Sequence, residues 1–217
     1  MENKKNLVTL LRFIYPLWAI IGMFSIMYVP SKLINWKDSL ITANNISANE
    51  LLFRLGIFGS LITQLLFIFA VLILFKLFKK VNKNQSLLMI VFALVSVPIA
   101  MLNTLNRLAA LRLLGNPEQM MFFLNLNIDG MMIATIFWGL WLFPLAFLVY
   151  KSGYFPKFLG VILGLAGLGY VLDSITYFLI PNITFFGPIV EVLTIGEVIF
   201  MLWVIFRGAK LSKIKNE

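Results

Sequence analysis

Six long apolar runs, separated by short polar segments, constrain this chain more than any other feature. They cover residues 7–29, 48–78, 86–114, 128–150, 158–180 and 189–206. A helix rises about 1.5 Å per residue and a hydrocarbon core is about 30 Å thick, so each run is long enough to cross one. In lipid, a lone segment satisfies its own backbone hydrogen bonds only as a helix. The runs therefore predict an all-α integral membrane protein, a bundle of six transmembrane helices forming one domain over residues 1–217. Composition closes the soluble alternative. With 61% of the chain apolar and only 12% charged, too few charges remain to clothe a water-facing surface.

The residue types that are missing exclude whole classes of chemistry. The chain has no cysteine and no histidine. Disulfides, thiol nucleophiles, zinc sites built on Cys or His, His-ligated haem and imidazole triads are thereby removed. Acid–base chemistry would have to come from Asp, Glu, Lys or Tyr. No catalytic set, metal site or cofactor is predicted. The net charge of +9 does not indicate nucleic acid, because the cations sit in short patches at the ends of apolar runs and not along a wet groove. Their expected partner is the anionic headgroup layer of the inner leaflet.

Charge also predicts orientation. With the N-terminus inside, the cytoplasmic side collects Lys4, Lys5, Arg12, Lys76, Lys79, Lys80, Lys83, Lys151, Lys157, Arg207, Lys210, Lys213 and Lys215. The opposite side keeps Lys32, Lys37, Arg54, Arg107 and Arg112, a ratio of 13 to 5. The positive-inside rule then places both termini in the cytoplasm. The start at Met1 has the charge of a signal peptide, but the first run is too long and ends in Val29-Pro30-Ser31 with no small-x-small cleavage signal. It is expected to stay as the first span.

The outer loops predict short interfacial helices. Leu33, Trp36, Leu40 and Ile41 fall at i, i+3, i+7 and i+8, one face of a helix lying on the membrane surface. Ser47 and Glu50 have capping-box spacing, which would start the second span at Ala48. Asn116-Pro117-Glu118 reads as another helix start, followed by an interfacial Met120–Leu124 segment, and Gly187-Pro188 as the opening of the last span. No internal repeat emerges; the prolines at 16, 98 and 144 are isolated and do not mark paired broken helices.

Ionisable groups inside the membrane need a reason, because a charge at a helix centre costs about 2.5–3.5 kcal/mol on insertion scales. Glu197 lies near the middle of the sixth run and Asp173 about one turn outward of the middle of the fifth. Glu191 and Asp129 lie nearer the outer ends of their helices. Arg54 and Arg107 enter from the same side, with Asn103 and Asn106 on the face that carries Arg107. Tyr170, Asp173 and Tyr177 follow i, i+3, i+7 spacing, and Thr194 shares a face with Glu197. One reading is an outward-facing polar pocket, Asp173 and Glu197 deepest, that takes a small amphiphilic or lipid-like molecule. An intramembrane enzyme using either acid, and a structural or regulatory partner of another membrane protein, stand as alternatives. The plainer readings stand beside these. Arg54 has the i,i+4 spacing of a surface ion pair with Glu50, Asp129 that of a charge favouring a helix N-terminus, and the asparagines suit bonds between neighbouring helices. The acids can equally be a structural salt bridge or a protonated hydrogen bond.

The fifth run carries Gly160, Gly164, Gly167 and Gly169. Gly164-x-x-Gly167-x-Gly169 lacks the preceding strand a dinucleotide loop requires, so close helix packing is the expected role. Tyr170-Val-Leu-Asp173 after Gly167-Leu-Gly169 also has the wrong spacing for an intramembrane aspartyl protease.

The stretch from Phe137-Trp-Gly-Leu-Trp through Tyr150-Lys-Ser-Gly-Tyr-Phe-Pro156 to Gly160, continuing into Gly167-Leu-Gly-Tyr-Val-Leu-Asp173, resembles a bacterial membrane family known as the domain of unknown function 4386. Phe53-Arg-Leu-Gly56 is similar too, and the likeness covers nearly the whole chain. The resemblance implies a multi-pass protein of the bacterial cytoplasmic membrane and supplies no activity. It places Arg54, Trp138, Gly139, Ser152, Gly153, Pro156, Gly160 and Asp173 in the family pattern. Ala146-Phe147 departs from an expected Gly-Tyr, a change that bears on packing.

Overall fold

A computed structural model describes residues 2–180 and 186–210. Among the described residues every regular element is helical. The elements are α1 (Glu2–Gly22), a π-helical segment (Met23–Tyr28), α2 (Val29–Leu33), α3 (Ser39–Ala48), α4 (Glu50–Phe78), α5 (Lys83–Arg112), α6 (Pro117–Ser152), α7 (Lys157–Leu179) and α8 (Phe186–Phe206). Six helical stretches are long and apolar enough to cross a membrane: Lys4–Leu33, Glu50–Phe78, Lys83–Arg112, Pro117–Ser152, Lys157–Leu179 and Gly187–Phe206. Large apolar side chains such as Phe13, Leu51, Leu102, Val192 and Phe206 are exposed, as lipid permits and water does not. The protein is a six-span helical membrane protein. Lys213 and Lys215, counted above among the cytoplasmic cations, lie outside the described residues.

The first span holds a feature the apolar pattern did not predict. Pro30 has no N–H, and in an α repeat its ring would meet the carbonyl of Ile26 four residues back. The chain widens instead into a π repeat, in which the Val29 N–H donates to the carbonyl of Phe24. The next donor in that repeat would be residue 30, which is the proline. The Ser25 carbonyl is therefore left without a donor from its own helix.

Three expected boundaries are corrected. Residues 34–38 form a turn, and the surface helix begins at Ser39, because the Asp38 carboxylate accepts from the Ile41 N–H at 2.9 Å and caps it. Leu33 and Trp36 precede that helix and share no face of it. Ser47 and Ala48 then belong to the last turn of α3, so the expected capping box is not formed; α4 starts at Glu50 after Asn49, whose N–H bonds Asn45 and Ile46. Finally, no break separates Met120–Leu124 from the fourth span, since α6 runs unbroken from Pro117. At its far end α6 stops at Ser152, and Gly153 adopts a left-handed φ of +69°, which a glycine allows without strain.

By internal contacts the chain divides into two compact units. One comprises Leu17–Phe67 and Val97–Met131, the other Met1–Pro16, Ile68–Ser96 and Met132–Glu217. The core of the first joins Val29 and Leu33, Ala43 and Ile46, Phe53 and Ile57, Ala110 and Leu111, and Met120 and Leu124. Here α4 approaches the π segment closely. A Cβ added at Gly56 would meet the Val29 side chain at 2.8 Å, and one at Gly59 would collide with the Ser25 hydroxyl.

The second unit is knit around Tyr154, just past the end of α6. Its ring stacks on Phe78 at 6.0 Å, its hydroxyl accepts from Lys4 Nζ at 2.8 Å, and its carbonyl accepts from the Lys210 N–H. Arg12 Nε donates to the Ile205 carbonyl at 2.8 Å, satisfying an orphan acceptor near the end of α8. Glycines let the helices close. A Cβ at Gly139 would lie 2.8 Å from the Gly167 carbonyl, one at Gly160 2.7 Å from that of Ala146, and one at Gly196 would strike that of Ile162. The packing role expected for the glycines of α7 thus holds at Gly160, Gly167 and Gly169, whereas Gly164 has ordinary clearance.

Candidate functional site: intramembrane polar groups

Arg107 lies on α5 and is 6% exposed. Its Nη1 donates to Ser60 Oγ on α4 at 3.2 Å and, at a long 3.5 Å, to the Ser25 carbonyl of the π segment. Its guanidinium carbon sits 5.3 Å from the centre of the Phe53 ring. Nη2 is buried without an acceptor, and no carboxylate pairs with this cation among the described residues. Ser25 Oγ and Gln64 Oε1, in the same unit, are also buried without a hydrogen-bond partner. A buried guanidinium held only by neutral oxygens and one ring is incompletely solvated by the protein.

The neighbouring asparagines do a different job. Asn103 Nδ2 donates to the Asn127 carbonyl at 2.8 Å, and Asn127 Nδ2 returns to the Asn103 carbonyl at 3.1 Å. Asn106 Nδ2 donates to Asn103 Oδ1 at 2.9 Å. Gly130 leaves the room that the Asn103 amide fills. This reciprocal pair bonds α5 to α6, the plainer of the two readings given for these residues. Arg54 pairs with Glu50 at 2.7 Å, with side chains 55% and 47% exposed. That is the surface ion pair its spacing allowed. Asp129 is half-buried in this unit.

In the other unit the structure joins Tyr170 and Glu197. The Tyr170 hydroxyl donates to Glu197 Oε2 at 2.9 Å, linking α7 to α8. Gly169, against which Leu193 and Thr194 pack closely, and Gly196 on Ile162 bring these helices near enough for that bond. Asp173 is half-buried one turn along α7, and its carbonyl accepts from Thr176. Ser174 Oγ donates to the Met132 carbonyl at 3.1 Å, tying α7 to α6. Tyr177 and Glu191 are exposed. Within one unit Arg107 groups with Ser25 and Ser60, and Asn103 with Asn106 and Asn127; within the other, Tyr170 groups with Glu197. The sequence had not singled out Ser25, Ser60, Gln64 or Asn127. The only signal for the first two was Gly56 and Gly59 beside a Pro30 that ends an apolar run. No group of three or more carboxylates able to hold a metal ion occurs among the described residues.

Fold and polar groups together define a multi-pass helical membrane protein with charged and hydrogen-bonding residues inside its spans. A family model described as "Domain of unknown function (DUF4386)" matches residues 13–208. The chain belongs to that family. It is also similar to an uncharacterized protein of Archaeoglobus fulgidus, with 36% identity over 146 residues, 65% of this chain and 76% of the relative. That relative is archaeal, so likeness alone does not specify a bacterial membrane. No solved structure matches.

Proposed function

We propose that this protein binds a small amphiphilic or lipid-like molecule within the membrane, with Arg107 taking its anionic head. The observation that carries this reading is the buried guanidinium whose Nη2 has no acceptor and which no carboxylate neutralises among the described residues. A cation left so in a low-dielectric site gains most from an anion that brings its own negative charge, and a guanidinium suits a carboxylate or phosphate best. An apolar tail is what an exterior already adapted to lipid accommodates. In the orientation proposed from the basic residues, both termini cytoplasmic, the Arg107 end of α5 lies in the outer half of the membrane. Asn103, Asn106 and Arg54 are assigned supporting roles in holding helices and loop. Native mass spectrometry of gently extracted protein tests the reading. A co-purifying anionic amphiphile is expected on the wild type and is lost in Arg107→Gln. A wild type that carries and takes up none would end it.

A second reading rests on Glu197. Its hydrogen bond to Tyr170 places an acid and a phenol in direct contact between α7 and α8, a pair able to hold and pass a proton. On that reading the protein is an intramembrane enzyme, and Glu197→Gln would abolish turnover of its substrate while leaving the amphiphile bound at Arg107.

A further inference from the structure

Two observations meet at the Ser25 carbonyl. Pro30 deprives it of the helix donor that the π repeat would supply, since Val29 already donates to Phe24. Arg107 Nη1, from a helix 82 residues further along, is the group that reaches it. A proline in a helix can be accommodated in two ways. The π repeat avoids the ring's clash with the carbonyl four residues back and orphans Ser25. A proline-kinked α repeat would return the Val29 N–H to Ser25 and orphan Ile26 instead. Only the π form has a use for Arg107. The packing around the segment fits the π form as well, with Ser25 pressed on Gly59 and Val29 on Gly56.

We infer that Arg107 is a latch that holds the first span in its π register, and that an anionic head bound at Arg107 releases it. The second half of this inference rests on the binding proposed above; the first half does not. The guanidinium cannot serve an anion and keep its long bond to Ser25 at full strength, so the ligand's charge competes with the carbonyl. When the ligand wins, Ser25 regains a donor by reverting to the kinked α form. The two parts of the first span then turn relative to each other by roughly one residue's worth of rotation, about 100°. Occupancy of the site is thereby converted into rotation of a transmembrane helix.

The cysteine-free chain allows a direct test. Nitroxide labels at Ile20→Cys and Ser31→Cys, both exposed in the same unit, bracket the π segment. In an α repeat their spacing puts them on one face, and the π repeat turns them apart. The label separation, read by pulsed electron resonance in detergent, is therefore longer in the π register, by about 2–3 Å for nitroxides about 10 Å from the helix axis. Pro30→Ala combined with Arg107→Gln removes the clash together with the latch, leaves the regular α repeat as the preferred helix, and so supplies the α-register reference distance. Arg107→Gln is expected to move to that shorter distance without any ligand, with Arg107→Met as the second variant should the glutamine not fold. If either folded Arg107 variant keeps the wild-type distance, the latch is overturned.

The ligand arm uses dodecyl phosphate, with inorganic phosphate as its tail-less control. Dodecyl phosphate is expected to shorten the wild-type distance and inorganic phosphate to leave it unchanged. Thermal stabilisation by dodecyl phosphate with no change in distance would overturn the coupling and leave the binding standing. No stabilisation at all would overturn the binding and the release it is said to trigger, while the Arg107 variants still decide the latch. Shortening by inorganic phosphate alone would keep the coupling and remove the amphiphile as its source.

Discussion

A buried charge without a counter-charge is a cost the fold must offset elsewhere, and among the described residues Arg107 carries that cost with neutral partners only. This makes a specific prediction at the residue scale. Arg107→Met keeps the volume and removes the charge, so the ligand-free protein should be as stable as wild type or more so, by up to about 1 kcal/mol. The same variant should lose the stabilisation that dodecyl phosphate gives the wild type, about 2.7 kcal/mol at a hundredfold excess over Kd. Thermal unfolding in detergent, with and without the amphiphile, measures both. Glu197 predicts the opposite pattern. Glu197→Leu strands the Tyr170 hydroxyl and should cost about 1–3 kcal/mol, whereas Glu197→Gln still offers an acceptor and should cost under about 1 kcal/mol. Adding Tyr170→Phe to Glu197→Leu should recover part of the loss. These two charged residues were legible in the sequence because insertion energetics single out any charge within an apolar run. Their surroundings were not. Ser25 and Ser60 are small neutral groups that are cheap in a membrane helix, and they lie 82 and 47 residues from Arg107. The pairing of Tyr170 with Glu197 rather than with a stripe along its own helix likewise depends on how α7 and α8 rotate on packing.

At the scale of the element, period and length gave the number and type of the helices, while their ends followed local bonds that spacing alone left ambiguous. Ser47 and Glu50 fit a capping box on paper, yet Asp38 caps an earlier start and carries α3 past Ser47. The π segment was illegible for a related reason: apolar periodicity over 7–29 fits an α-helix, and the effect of Pro30 on the backbone before it leaves no mark on composition. The glycines of α7 were legible as packing residues, but the tightest approach of α8 comes from Gly196. Gly196→Ala would drive a Cβ into the Ile162 carbonyl, a backbone atom that cannot step aside, and should lower stability by about 1–3 kcal/mol. Gly164→Ala meets only the Ala146 side chain at 3.8 Å, and should be neutral or stabilising by about 0.5–1 kcal/mol through helix propensity. Thermal unfolding of the two variants side by side isolates close approach from propensity, because both remove a helical glycine.

For the whole molecule the open variable is which side each helix end faces. The helices alone are indifferent to it, and the basic residues decide. The turn between α4 and α5 holds Lys79 and Lys80 with Lys83 just beyond, whereas α3 carries no cation and the turn before it only Lys37. A translocated segment carries few Lys or Arg, so the α3 side should be the outer one. Asn44 on α3 and Asn84 near the start of α5 are both exposed. In intact cells, Asn44→Cys should react with a membrane-impermeant maleimide and Asn84→Cys only after permeabilisation. The reverse pattern would place both termini outside and turn the Arg107 end of α5 toward the cytoplasm. Equal labelling of both before permeabilisation would mean that α4 does not cross. The result also bears on the ligand. An outer-half Arg107 draws an anionic head from the outer leaflet or from outside the cell, where an inner-half one would compete with the anionic headgroups of the cytoplasmic leaflet at all times. A latch meant to report occupancy works only where its ligand is not always present, so the outer placement is the one under which the Arg107–Ser25 contact can act as a switch.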